Sequence, residues 1–191
     1  STLLKQSIEL DPLFFHTAYY TQGFMAWREG FQQEAIDILK IHSDHRYWYW
    51  EPKFYLGFDY FYYLKDNDKG AYYLREAAKL EGAPPIVSLL AARLLQRSGQ
   101  TLTAIAFLKS MLENAKDEEI RENLAQRLQA HLGVYQLEKA RDAYRNMTGG
   151  LPMSLDELVD KGFIDQIPEN TMADTFYYDS QTGEISFDAR R

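Results

Sequence analysis

The 191-residue chain contains no cysteine. A disulfide framework, a thiolate nucleophile and a cysteine-based zinc site are therefore excluded. Missing cysteine fits reducing and oxidising compartments equally well. No apolar run approaches the roughly eighteen residues a membrane span needs, and no signal-peptide pattern stands at the start. β-branched residues are sparse, and the 11 Gly and 6 Pro fall mostly between periodic segments. A basic face is missing as well. The formal charge is −7, and residues 117–191 hold the whole excess with 15 acidic and 8 basic side chains. Phosphate-backbone binding needs a basic footprint, so nucleic acid is not an expected partner. What remains abundant is Leu, Ala, Glu, Arg and aromatics, a composition that predicts a mostly helical protein with enough chain to bury a core.

The chain is organised around residues 47–84. Its first half, from Phe54 to Leu64, is apolar on nearly every side, so the helix it predicts needs neighbours on several faces. Its second half, Ala71 to Leu80, is an amphipathic helix that stops before Gly82, Pro84 and Pro85. Eleven aromatics fall within residues 45–63.

Neighbouring segments echo this unit. With Gly57 as the small residue of the first helix and Gly70 as that of the second, counting back 34 and 35 places gives Gly23 and Ala35. Counting forward 35 and 34 gives Ala92 and Ala104. A leucine follows each second small position by four residues: Leu39, Leu74 and Leu108. Turns fall at Arg28-Glu29-Gly30, at Lys65-Asp66-Asn67-Asp68 with Asp68 placed to cap the next helix, and at Arg97-Ser98-Gly99. This period and its small/large alternation resemble the tetratricopeptide repeat (TPR), in which small residues let antiparallel helices approach while large ones fill the gap to the next unit. The expected fold is a mostly α, TPR-type helix–turn–helix solenoid with a C-terminal capping helix and a small β-hairpin. Residues 1–116 would hold the repeats, with 1–12 an orphan second half ending near Pro12. Such a start suggests a fragment or processed chain and leaves room for a membrane anchor upstream of Ser1.

Residues 117–150 read as the capping helix. Asp117-Glu118-Glu119 supply negative charge at its start, and Ile120, Leu124, Leu128, Leu132 and Tyr135 form its stripe, which should cover the last repeat. In 151–191, Ser154-Leu155-Asp156-Glu157 reads as a capping box opening a short helix to Gly162. Phe176-Tyr177-Tyr178 and Ile185-Ser186-Phe187 flank a hairpin turn. The strings LPMSLDELVDKGFIDQIP and FYYDSQTGEISF are similar to the C-terminal segment of pseudopilins and of some TPR proteins of bacterial envelopes. The segment between, Glu169 to Asp174, departs from that pattern. The resemblance implies an envelope setting facing the periplasm, with a cytoplasmic one still open.

Chemistry-bearing patterns are few. His42-Ser43-Asp44-His45 has two histidines three apart beside a carboxylate but no spaced third ligand, so it reads as a solvent-facing pair at a helix end and no metal is expected. Asp66 to Gly70 opens like a calcium loop yet lacks the fixed glycine and the glutamate twelve positions on. Nucleophile elbow, paired carboxylates and phosphate loop are all missing, so no enzyme and no cofactor is expected. What the TPR resemblance does imply is a concave groove. Its positions carry over to Tyr20, Phe24, Trp27 and Arg28, to Phe54, Phe58, Phe61 and Tyr62, and to Leu89, Arg93, Gln96 and Arg97. The expected function is a protein scaffold that holds a partner peptide or helix in this aromatic groove, with Arg93 and Arg97 at one end. Packing of the aromatics against each other is the competing reading of the same residues. The competing function is a structural subunit, docking through its tail and open first half-repeat into a complex or a second copy.

Overall fold

The computed structural model describes residues 2–187. Ser1 of the expected first half-repeat and residues 188–191 of the tail lie outside the described residues. The chain is mostly α-helical with one two-stranded hairpin. Contacts divide it into two compact units, residues 1–99 and 100–191.

The first unit holds α1 (Thr2–Leu10), α2 (Phe15–Tyr20) running on into a π-helical turn (Thr21–Met25), α3 (Gln32–His45), α4 (Trp50–Tyr62), α5 (Asn67–Ala78) and α6 (Pro85–Arg97). Helix starts follow local chemistry. The Asp66 carboxylate caps α5 by accepting the Lys69 backbone N–H at 2.9 Å, and that bond, before any other influence, holds its proton affinity below the usual carboxylate range. The cap is therefore Asp66, not Asp68, because α5 begins two residues earlier than a cap at Asp68 would place it. Pro85 opens α6, where its missing N–H costs nothing.

Close approach of α4 and α5 depends on two glycines. A Cβ at Gly57 would lie 2.7 Å from Leu74 Cγ and 3.0 Å from the Gly70 carbonyl oxygen, and one at Gly70 would meet Leu94 and Phe61 at 3.1 Å. Only hydrogen fits at these points. Leu39 and Leu74 are buried as the repeat spacing requires. Gly23 differs: nothing lies within 4 Å of its Cβ position. The π turn, closed by the Ala26 N–H on the Thr21 carbonyl at 3.0 Å, rotates this stretch out of the α-helical phase. Ala18, Thr21 and Ala26 are the small residues buried there instead. One core cluster joins Ile8 of α1 to Met25, Ala26, Ala35 and Ile38. A second joins Ala18, Ile36, Leu39, Leu56 and Tyr60.

The second unit holds α7 (Thr101–Asn114), α8 (Glu118–Thr148), α9 (Leu155–Asp160) and an antiparallel pair, β1 (Tyr177–Tyr178) with β2 (Ile185–Ser186). Asp117 caps α8, and Gly149 ends it at φ +80°, a left-handed stop that glycine makes without strain. Ala104 and Leu108 of α7 are buried, α7 packs on α8, and Thr101 donates to Glu138 at 3.0 Å. A second stripe of α8, Ala130, Val134, Leu137 and Ala140, buries against Leu155, Leu158, Phe176, Ile185 and Phe187. Of the stripe expected on α8, Leu124 and Leu128 are buried. Gly133 lets Phe176 in, since a Cβ there would meet the ring at 2.5 Å. Ser154 caps α9 by accepting the Glu157 N–H, while the Glu157 carboxylate accepts the Met153 N–H at 2.7 Å and the Tyr144 hydroxyl at 2.7 Å. In the stretch that departs from the pseudopilin pattern, Asn170 does the turn's work. Its amide donates to the Thr175 and Phe187 carbonyls and accepts the Met172 N–H.

Candidate functional site

The predicted groove residues all lie in the first unit. On α2 and the turn after it, Tyr20 and Phe24 are exposed with ring centroids 5.8 Å apart. Phe24 keeps 64% of its surface in water and Trp27 61%. Trp27 touches the exposed Tyr62 at the end of α4, centroids 6.3 Å apart. Tyr62 in turn stacks on the half-buried Phe58 at 5.3 Å and 13°. The Trp27–Tyr62 contact joins the end of the first segment to α4 in one aromatic face, while Tyr20 and Phe24 pair with each other. Arg28 is exposed and lays its guanidinium 4.8 Å from the Phe31 ring centre. Phe54 is half-buried beside Trp50 and Tyr55, and Phe61 is half-buried with its Cβ facing Gly70 of α5. Leu89, Arg93 and Arg97 of α6 are half-buried and Gln96 is buried. Both arginines are already engaged within the chain, so neither is a free charge awaiting a ligand.

Beneath the aromatic face lies a polar group that sequence reasoning passed over. Asp59 is fully buried in the last turn of α4. Gln22, in the π turn, donates from Nε2 to Asp59 Oδ1 at 3.0 Å. That leaves Asp59 Oδ2, Gln22 Oε1 and the Tyr63 hydroxyl buried with no partner. Burial pushes the Asp59 carboxyl up to about 7, against the smaller opposing effect of the Gln22 bond. Tyr63 is pushed up to about 12, first by its own desolvation and then by the Asp59 charge. Its ring meets Trp27 at 5.9 Å, Tyr62 at 5.0 Å and Phe58 at 6.2 Å. Tyr63 thus connects the aromatic face to the buried carboxyl. The signal was present in the sequence: a lone aspartate inside Phe58-Asp59-Tyr60-Phe61, where solvent could not reach every side.

The remaining candidates resolve differently. His42 is not a solvent-facing residue. It is fully buried, and its ring N–H donates to the Pro12 carbonyl at 2.8 Å across thirty residues of chain. Desolvation holds it neutral by lowering its proton affinity. His45 is exposed and bonds the Ile41 carbonyl. Among the described residues, no group of three or more His, Cys, Asp or Glu side chains is placed to hold a metal ion, and no helix is long and apolar enough to cross a membrane. A second aromatic patch, Tyr47-Trp48-Tyr49, is exposed in the loop before α4. Arg46 lies over the Phe15 and Tyr49 rings at its edge.

Comparison with protein-family models, with curated proteins and with solved structures returns no match.

Proposed function

We propose that the chain is a non-enzymatic, TPR-type interaction scaffold that binds a partner peptide or helix on the aromatic face of its first unit. The observation that carries this reading is the exposure of four large rings in two contacting pairs, Tyr20 with Phe24 and Trp27 with Tyr62. Large rings left in water lose free energy that a partner's apolar side chains recover on binding, and exposed aromatic patches mark interfaces. The glycine-dependent packing of α4 on α5 and the buried Leu39 and Leu74 support the TPR part of the reading. The resemblance of the C-terminal segment supports a bacterial envelope setting.

A pull-down from envelope and soluble fractions tests it, with the intact chain compared against a Phe24→Ser/Trp27→Ala/Tyr62→Ala variant of unchanged helicity. A partner captured by the first and lost by the second is the expected result. A partner that persists with the variant but disappears on deletion of 151–191 transfers the function to the tail.

A second reading, a structural subunit that docks through α1, is favoured by one observation. Leu3 and Leu10 are 81% and 87% exposed. Sedimentation decides it: self-association abolished by Leu3→Ser/Leu10→Ser supports that reading, and a monomer at all concentrations removes the self-assembly version.

A further inference from the structure

The binding reading leaves open what the partner must present, and the buried polar group under the aromatic face narrows it. We propose that Gln22, Asp59 and Tyr63 accept the ammonium of a lysine side chain from the bound peptide, with its alkyl stem lying across Trp27 and Tyr62. This inference rests on the interaction reading above and names the chemistry of the partner.

The argument begins with donors and acceptors. Asp59 Oδ2, Gln22 Oε1 and Tyr63 Oη are three oxygens, all buried and all without a partner. A primary ammonium brings three N–H donors and no acceptor, which matches that set. A guanidinium offers five donors in a rigid plane and would leave several unmet.

Charge points the same way. Among the described residues, burial and the Gln22 bond are the two influences on the Asp59 proton, and no charged side chain of the π turn, α3 or α5 acts on it. Tyr63 registers its charge. A buried carboxylate without a cation is costly, and an incoming cation removes that cost. The rim suits a cation too. The chain's own Lys65 already holds its ammonium 5.1 Å from the Tyr62 ring centre, so this face attracts ammonium groups as aromatic rings do. Tyr62 and Trp27 are exposed, and rotation of exposed side chains is fast enough to admit a stem.

The test pans a random peptide library of roughly twelve residues against the intact chain and against Asp59→Asn, a neutral variant of the same shape. The expected result is enrichment of lysine between apolar positions on the intact chain and its loss on the variant. A selected peptide should bind about tenfold more weakly near pH 6 than near pH 8, because only the ionised carboxyl takes the ammonium. That pH dependence should vanish in Asp59→Asn. Norleucine in place of the lysine should weaken binding to the intact chain and leave the variant indifferent. Peptides that bind both proteins without lysine preference overturn the inference and leave the aromatic-face reading standing; the three oxygens then serve a bridging water. A library that yields no binder to either protein overturns both.

Discussion

At the scale of single residues, two buried titratable groups work against each other. Asp59 has a folded-state value near 7, raised above its ordinary one near 3.8. Its contribution is fully present below the ordinary value and is lost as pH rises towards 7. His42 has a lowered value, so its contribution is present above the ordinary histidine value of 6.5 and is lost as pH falls below it. Asp59→Asn should therefore stabilise the chain at neutral pH by about 1–3 kcal/mol, since a neutral amide can also serve Gln22 Oε1 and the Tyr63 hydroxyl. The gain should shrink to nothing near pH 4, as measured by urea midpoints across the range. A gain that stays constant with pH would show that Asp59 keeps an ordinary proton affinity. Replacing His42 by Gln, which keeps a donor for the Pro12 carbonyl, should flatten the stability loss below pH 6.5.

At the scale of elements, glycine placement gives the sharpest expectations. Gly57→Ala should cost about 1–3 kcal/mol, since the new methyl meets Leu74 and the Gly70 backbone. Gly23→Ala meets nothing and should be neutral or stabilise by up to about 1 kcal/mol through reduced chain entropy. Equal effects at the two sites in thermal melts would mean that they share one packing role. Gly133→Ala should destabilise by a similar 1–3 kcal/mol or so, and Phe176→Leu in the same chain should recover part of it, because the ring is what the methyl strikes.

Much of this level was readable from residues alone. Gly149 as a stop, Ser154 and Glu157 as a capping box, and Asp117 at the start of α8 are local chemistry that no distant contact overrides. Gly57 and Gly70 were also legible, since small residues at fixed spacing have few other uses. Three features were not. The π turn leaves no mark in composition. The burial of His42 depends on where the loop carrying Pro12 lands thirty residues away. The division of the aromatics between core and surface depends on which neighbour each helix meets, so the spacing that groups Phe61 with Tyr62 does not say that one faces α5 and the other water.

At the scale of the whole molecule, buried clusters form inside each unit, around Ile38 and around Leu39 in residues 1–99 and around Leu137 in 100–191. A lesion should be felt first where it is made. In hydrogen exchange, Gly133→Ala should speed amides of α8, α9 and the hairpin while those of α4 and α5 keep their wild-type rates. Uniform acceleration along the chain would instead show one cooperative unit. Salt should weaken peptide binding only modestly, since a single buried pair carries the proposed charge recognition.

The π turn at Thr21–Met25 carries a consequence for how this chain tolerates change. Such a turn holds one residue more than an α-helix needs and absorbs it locally, because the bond from the Ala26 N–H to the Thr21 carbonyl closes over five residues where an α-helical turn closes over four. Removing Gly23, where an added Cβ would meet nothing within 4 Å, should let the stretch wind as ordinary α-helix with Phe14 to Tyr20 and Trp27 keeping their faces. The same deletion inside α3 or α4 would turn buried side chains towards water. The turn is thus the place in the first unit where chain length can change at least cost.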